Sequence, residues 1–288
     1  MAPSSELRLL TVHAHPDDET ITMGATLAQC ADRGISTAVV CCTDGQLATI
    51  YATDMPEEET RPRLGEIRRE ELRAACAILG VSDVDFLGYH DSGMAGAESN
   101  NDPVAFWRAP LDEAIGKLVA HIRRFRPHVV VTYDANGGYG HPDHVQAHRA
   151  TVLAVEAAYL PSMYPGTGDP WRVSKLYYTA FPLRWARKAA DFAAQAGRPS
   201  PFGDTAPEDL PFVTRDELVT TVVAAPDQMS RKVAALRAHH SQITEDFPFL
   251  SMSEEVAREH FSDEYYQLVM SHVPVHLPET DLFAGLGD

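Results

Sequence analysis

Residues 12–19, with the sequence VHAHPDDE, constrain the fold of this chain more than any other stretch. The apolar run before them, 9–12, is typical of a strand, and residues 21–33 after them have helical periodicity. When a strand ends in imidazoles and carboxylates and then turns into a helix, these groups lie at the carboxyl end of a parallel sheet, where open α/β folds bind their ligands. The segment therefore predicts a polar site at that edge of a sheet.

Segments of strand and helix type alternate through the first 160 residues. The predicted strands are residues 8–12, 37–42, 83–87 and 128–133. The predicted helices are residues 21–33, 64–79, 110–125 and 144–158, with polar loops at 43–62, 90–102 and 134–143. Four such repeats are typical of an α/β fold with a Rossmann-like, doubly wound, mainly parallel sheet. No G-x-G-x-x-G pattern follows the first strand, which argues against a nicotinamide or flavin cofactor.

The composition changes after residue 160, where Pro, Gly and aromatic residues become frequent. Strands are predicted at 175–180 and 218–224, and helices at 185–196, 226–239 and 263–271. We therefore expect a Rossmann-like catalytic domain, 1–160, and a C-terminal α+β portion, 161–288. The second is expected to pack on the first as a single compact unit and to close one side of the site.

The net charge limits the partners of this chain. It carries 24 Lys and Arg against 41 Asp and Glu, a formal charge of −17. Such a charge repels phosphates, so we expect a small-molecule partner and no nucleic acid or anionic membrane.

The four cysteines lack the spacing of a zinc ribbon or a disulfide framework, which favours a cytoplasmic location. Residues 1–6 do not resemble a signal peptide, and no apolar run approaches the roughly 20 residues of a membrane span. The oligomeric state stays open.

Two loops at neighbouring strand ends carry residues suited to metal chemistry: HAHPDDE at 13–19 and GYGHPDH at 138–144. Together they hold four histidines and four carboxylates. Zinc in hydrolases takes three protein ligands from such residues and keeps one position for a water, whose pKa falls to about 7. A nearby carboxylate can accept the proton of that water. The two loops together predict a zinc site, and Fe²⁺ or Co²⁺ would suit the same donors.

Single residues of this set also have simpler interpretations. His13 is suited to a hydrogen bond just after the strand, and Asp143 is placed to cap the following helix. His128, at the start of a strand on the opposite side, has the same hydrogen-bonding interpretation as His13, and His148 could pack one turn along from His144. His239 and His240, at the end of a helix, could be cations at the helix C-terminus or could return to the site.

The order of the motifs resembles one known family. These motifs are VHAHPDDE, a helix with Arg68, DSGM at 91–94 and TYDANGGYGHPDH at 132–144. Over nearly its whole length the chain is similar to the LmbE/PIG-L family of zinc-dependent de-N-acetylases. Within that family, segments 168–178, 232–242 and 278–286 are most similar to the mycothiol enzymes of actinobacteria.

The resemblance implies a metal centre and a base. His15, Asp18 and His144 match the zinc ligands of the family, and Asp17 matches its general base. The implied reaction is amide hydrolysis by a metal-activated water, without a covalent enzyme intermediate.

The resemblance also implies residues that contact the substrate. His141 is expected to stabilise developing charge or to protonate the leaving amine, and Tyr139 to support the tetrahedral oxyanion. Arg68 and Asp91 match positions that hold the sugar-inositol part of the substrate.

Two mycothiol-related activities fit these motifs. Segments 173–178 and 278–286 favour a mycothiol S-conjugate amidase acting on a thiol-sugar, which is the main prediction. DSGMAG at 91–96 favours the alternative, the N-acetylglucosaminyl-inositol deacetylase. The loop 43–51 departs from both, because Gln46 replaces the customary acid, and this suggests a specialised natural-product pathway. A deacetylase of another N-acyl amino sugar and a non-catalytic sugar-binding protein are further alternatives.

Overall fold

A mixed sheet with helices on both faces forms the centre of the molecule. The structure is a computed structural model that describes residues 7–286 except 196, 246, 248, 249 and 251. Residues 1–6, in which no signal peptide was expected, lie outside the described part, and so does residue 196 at the end of a predicted helix. Every helix in the described part is too short or too polar to cross a bilayer.

The strands and helices of the described residues follow the order expected from the sequence over the first 160 residues. The strands are β1 Arg8–His13, β2 Ser36–Thr43, β3 Asp83–Tyr89, β4 Val129–Thr132, β5 Lys175–Pro182, β6 Val213–Thr214, β7 Thr221–Ala224 and β8 Asp263–Ser271. The helices are α1 Asp18–Asp32, α2 Glu57–Thr60, α3 Leu64–Leu79, α4 Leu111–Phe125, α5 Gly137–Gly140, α6 Pro142–Ala158, α7 Leu183–Gln195, α8 Met229–Ala238 and α9 Glu254–His260.

The strand order confirms the predicted doubly wound sheet. It runs β3-β2-β1-β4-β5-β8-β7, with β6 beside β5. The first five strands are parallel, and β8 is antiparallel to both of its neighbours. The chain moves outward from β1 to β2 and β3, and then returns to place β4 on the other side of β1. Such a reversal opens a crevice at the carboxyl ends of the two central strands, here β1 and β4.

Burial on both faces explains why the central strands are almost continuously apolar. Alternate residues of β1 face opposite sides: Leu10 and Val12 pack against α4 and α6, and Leu9 packs against α1, α3 and α8. A parallel sheet covered by helices on both faces needs apolar side chains at nearly every strand position. This packing holds the ends of β1 and β4 in a rigid frame below the crevice.

The predicted helix at 263–271 is wrong, because this segment is strand β8. Glu264 and Tyr266 are buried at alternate positions, which is the period of a strand. Pairing with β5 on one side and β7 on the other outweighs the local preference of this segment for a helix. β5, β8 and β7 therefore extend the sheet of the N-terminal half, while the division of the chain at residue 160 stays a prediction.

Helix α1 is interrupted at Met23, whose φ of −149° and ψ of 22° are not helical. The Glu264 carboxylate accepts the N–H groups of Ala25 and Thr26, just after the break, at 2.9 and 2.7 Å. Lys232 from α8 donates to the Ile21 carbonyl at 3.0 Å and to Glu264 at 2.6 Å. This buried ion pair replaces helical hydrogen bonds that the break removes. It also ties α1 to α8 and β8.

Candidate active site

The two motif loops meet in the crevice between the ends of β1 and β4. The first loop runs from His13 into α1, and the second follows β4 and leads through α5 into α6. Parallel pairing of β1 with β4 brings the two loops to the same edge of the sheet. A third segment after β3, which carries Asp91 and Ser92, also contacts them.

The side chains predicted as metal ligands form a small triangle. His15 Nδ1 lies 3.2 Å from His144 Nε2 and 3.5 Å from Asp18 Oδ2, and the last two atoms are 3.5 Å apart. Ligand atoms about 2.0–2.2 Å from a tetrahedral zinc lie about 3.3–3.6 Å from one another. The donor set and its spacing therefore fit three ligands of a tetrahedral metal ion, and His141 offers a further donor atom close to those of His15 and His144. Each histidine is buried, so the triangle is shielded from solvent on its protein side.

Tyr133 supports this triangle, and it was missed in the sequence because it ends an apolar strand-like run. Its hydroxyl donates to Asp18 Oδ2 at 2.7 Å and accepts the N–H of Ala14 at the same distance. Its ring stacks on His144, with centroids 4.2 Å apart and an interplanar angle of 21°. One side chain thus holds two of the three donor groups in place.

Asp143 orients His15 and does not cap α6, so the predicted N-cap is wrong. The N-cap is His141, whose Nδ1 accepts the Asp143 N–H at 3.2 Å. The Asp143 carboxylate is fully buried, lies 3.2 Å from His15 Nε2 and accepts hydrogen bonds from the N–H and hydroxyl of Ser92. A carboxylate that accepts from one ring nitrogen leaves the other free to bind a metal. This contact stabilises the fold more than a helix cap would, because it pairs the buried Asp143 carboxylate with the buried His15 ring.

Asp17 is held next to the triangle in an unusual backbone conformation. Its φ of 117° is rare for a residue with a side chain, and such positions cost about 1–3 kcal/mol. Arg68 Nη2 lies 3.0 Å from Asp17 Oδ2. Burial raises the pKa of the Asp17 carboxyl to about 6, although the charge of Arg68 acts in the opposite direction. A carboxylate with a pKa near neutrality is suited to accept and return a proton.

Arg68 is buried and points toward protein groups. Besides Asp17 it donates to the carbonyls of Pro16 at 2.5 Å and Gly45 at 2.8 Å. A Cβ on Gly45 would come within 1.9 Å of the guanidinium, so only glycine fits there. These contacts join α3 to the first motif loop and to the loop that follows β2. The predicted contact of Arg68 with a sugar stays a prediction.

Asp91 lies near Nε2 of His15, away from the triangle donor Nδ1, and contacts Gln46 in the loop 43–51. Its Oδ1 is 3.6 Å from His15 Nε2 and accepts the Gly93 N–H at 2.8 Å. Its own N–H donates to Gln46 Oε1 at 3.1 Å. Burial opposes ionisation of Asp91, but the charge of His15 holds its pKa below the usual range. A neutral Gln46 fits beside this carboxylate without adding a second negative charge.

The rings of His141 and Tyr139 pack against the histidines of the triangle. The His141 ring centroid lies 4.5 Å from that of His15. Burial and then the imidazoles of His15 and His144 lower the pKa of His141 to about 3, so it is neutral at pH 7. Because its Nδ1 accepts a hydrogen bond, its proton is on Nε2. Tyr139 is 39% exposed and its ring meets that of His144 edge-on at 4.9 Å.

The remaining histidines separate into those at the site and those away from it. His13 is buried, with Nε2 2.6 Å from the Thr11 hydroxyl, as expected for a hydrogen-bonding residue. His239 returns to the site, with Nε2 3.0 Å from Glu19 Oε1. Others lie outside the cluster: His148 contacts the Tyr133 carbonyl, His128 accepts the Arg8 N–H, and His240 pairs with Asp54 on the surface.

Comparisons with known proteins find relatives in sequence and in fold. Residues 10–155 match the family model described as PIG-L, GlcNAc-PI de-N-acetylase. The chain is 46% identical over 294 residues to the 1D-myo-inositol 2-acetamido-2-deoxy-alpha-D-glucopyranoside deacetylase of Geodermatophilus obscurus, covering 99% of both chains. It is 43% identical over 295 residues to a protein of the same name, numbered 1, from Catenulispora acidiphila, covering 99% of this chain and 91% of that one. N,N'-diacetylchitobiose deacetylase of Pyrococcus horikoshii shares the fold, with a TM-score of 0.62 at 22% identity over 93% of this chain and 85% of that one.

Proposed function

The chain belongs to the PIG-L family of GlcNAc-PI de-N-acetylases and is therefore a deacetylase, and we propose that its substrate is N-acetylglucosaminyl-inositol. The triangle of His15, Asp18 and His144 beside Asp17 is the feature that supports this function most directly. The names of the relatives favour the acetyl-sugar alternative over the S-conjugate amidase that was the main sequence prediction. The product is a free amino sugar-inositol and acetate.

The metal that we propose for this site is zinc, bound by His15, Asp18 and His144. Bound there, it would lower the pKa of a water and polarise the amide carbonyl. The donors are two imidazoles and one carboxylate, which is a frequent ligand set of catalytic zinc. The Asp143 carboxylate keeps the His15 proton on Nε2 and leaves Nδ1 free for the metal.

The acid–base work is assigned to Asp17. Its carboxylate takes a proton from the attacking water and, when the tetrahedral intermediate collapses, returns it to the glucosamine nitrogen. A pKa of about 6 leaves Asp17 largely ionised at neutral pH and still able to protonate an amine. Arg68 holds this carboxylate in one orientation throughout.

Two neutral donors are assigned to the oxyanion side. The Nε2–H of His141 and the hydroxyl of Tyr139 would stabilise negative charge as it develops on the former carbonyl oxygen. Tyr139 lies between Gly138 and Gly140, whose φ values of 70° and 88° allow a turn that places this ring at the rim. Binding of the hydroxyl groups of the sugar and inositol is assigned to Asp91 and Arg68.

The experiment that tests this function measures release of primary amine by the zinc-loaded protein. The two substrates are N-acetylglucosaminyl-inositol and a mycothiol S-conjugate, compared by kcat/KM. We expect the acetyl substrate to be the better one. A higher kcat/KM for the conjugate would favour the amidase, and no release from either by protein that holds zinc would exclude both substrates.

A matched control shows that the measured activity belongs to this site. In Asp17→Asn the side chain keeps its size but cannot accept a proton. We expect a loss of kcat of about 10²–10⁴-fold with zinc still bound. Activity that survives this substitution would come from a contaminant or from another base.

A further inference from the structure

A buried carboxylate–imidazole pair lies directly behind Asp17, and none of the roles assigned above uses it. Glu19 and His239 both have 0% exposed surface. Glu19 Oε1 lies 3.0 Å from His239 Nε2 and accepts the Thr20 hydroxyl at 2.5 Å. The other oxygen, Oε2, accepts the backbone N–H of Asp17 at 3.0 Å. The pair therefore contacts the main chain of Asp17, whose carboxylate is paired with Arg68 on its other side.

The contact between Glu19 and the Asp17 N–H resembles the return half of a capping box, except that Glu19 is at the second helical position and the returning residue of a capping box is at the third. Asp17 is the N-cap of α1, yet its side chain makes no capping hydrogen bond. Its carboxylate is turned to Arg68 instead. Glu19 thus secures the N-cap backbone, while the side chain that normally does this work stays available for chemistry.

The backbone of Asp17 needs such a restraint. With φ at 117° it is in a region that L residues rarely adopt, and contacts must hold it there. Arg68 holds the side-chain end, and Glu19 holds the N–H end. His239, which follows α8, fixes Glu19 in turn: because a carboxylate can only accept, its Nε2 carries the proton.

We propose that Glu19 and His239 act as a positioning pair that sets the backbone of Asp17 and thereby aims its carboxylate at the attacking water. This inference depends on the proposed function, because Asp17 is the base of that reaction. Neither residue contacts the substrate. Their effect should therefore appear in kcat and leave substrate binding unchanged.

The chain offers a closely matched control in Glu264. It is also a buried carboxylate that accepts N–H groups of α1, and it also pairs with a cation from the α8 region, Lys232. Its contacts lie beyond the break at Met23 and do not include Asp17. Glu264→Ala therefore measures the cost of losing such a pair without moving the base.

The kinetic test compares Glu19→Ala and Glu19→Gln with Glu264→Ala, all zinc-loaded and assayed below their unfolding temperatures. A displacement of about 1 Å can cost about 10²-fold in rate. We expect Glu19→Ala to lose about 100-fold in kcat, with KM unchanged within about threefold and zinc retained. Glu19→Gln keeps an amide oxygen for the Asp17 N–H, so its kcat should recover to within about tenfold of wild type. Equal kcat in Glu19→Ala and Glu264→Ala would overturn the proposal.

A structural readout is independent of activity and of zinc. In a crystal structure of metal-free Glu19→Ala, we expect Asp17 to leave φ near 117° and its carboxylate to move away from Arg68; in Glu264→Ala both should stay. If Glu19→Ala does not fold, His239→Ala gives the same comparison, with His239→Gln as its conservative counterpart. An unchanged Asp17 backbone would exclude the positioning role even if the proposed substrate were correct. Wild-type inactivity with the backbone shift present would instead fault the proposed function alone.

Discussion

His15 shows how one side chain can serve two purposes in this site. Its Nδ1 belongs to the donor triangle, and its Nε2 faces the Asp143 carboxylate at 3.2 Å. Ser92 holds Asp143 in turn through two hydrogen bonds. Both ring nitrogens of His15 thus have a partner, His144 Nε2 on one side and the Asp143 carboxylate on the other. These contacts orient the ring without a bound ion.

Asp143→Asn should therefore weaken metal binding. The amide can present its NH₂ group to His15 Nε2, which disfavours the tautomer with Nδ1 free. Loss of such a supporting partner typically costs about 10–100-fold in metal affinity or activity. A competition titration with a zinc chelator measures it. The exposed Asp102→Asn is the control, and equal zinc affinity in the two variants would contradict the role of Asp143.

At this scale the sequence was a good guide to side chains within the two motifs. His15, Asp17, Asp18, His141 and His144 were singled out, and the structure brings them together. Supporting residues were missed, since a tyrosine at a strand end and a serine in a loop have many possible roles. Only their contacts in space distinguish these roles.

At the scale of elements, helix α1 combines a functional N-terminus with a structural break. Its first turn carries Asp18 and Glu19, and the break at Met23 is compensated by Lys232 and Glu264. Gly24 directly follows the break, but a single glycine within a helical pattern does not by itself predict one. Two residues more than 200 positions away stabilise it, so local periodicity could not reveal it.

Lys232→Met should destabilise the protein strongly. The substitution keeps the length of the side chain but leaves the Glu264 carboxylate buried without its cation. Removing one partner of a buried ion pair costs about 3–5 kcal/mol, which urea denaturation can measure. The control is Arg63→Met, which removes an exposed ion pair with Glu66 and should change the free energy of unfolding by less than about 1 kcal/mol. A similar small change in Lys232→Met would contradict the structural role of the pair.

At the scale of the whole molecule, the position of the site follows from the order of the strands. The triangle takes His15 and Asp18 from the segment after β1 and His144 from the segment after β4. These strands are neighbours only because the chain reverses direction across the sheet between β3 and β4. A metal bound to this triangle would therefore link two segments that are more than 120 residues apart in the chain.

Binding of a metal between such distant segments should stabilise the whole fold. Zinc at about 100 times its Kd would add about 2.7 kcal/mol, or about 5–10 °C in Tm for a chain of this size. Differential scanning calorimetry with zinc and with a chelator measures the shift. His144→Ala should show the same Tm with zinc and with the chelator. A wild-type Tm that does not change between these two conditions would contradict the proposed centre.

The sequence by itself determined the alternation of strands and helices in the first half and the two clusters of imidazoles and carboxylates. Both are local properties, because periodicity and residue type within a short window carry them. The tertiary structure alone decided that residues 263–271 form a strand, that Asp143 turns inward to His15, and that Glu19 meets His239. Each of these depends on contacts between distant segments, where pairing a buried polar group or a free strand edge outweighs local preference.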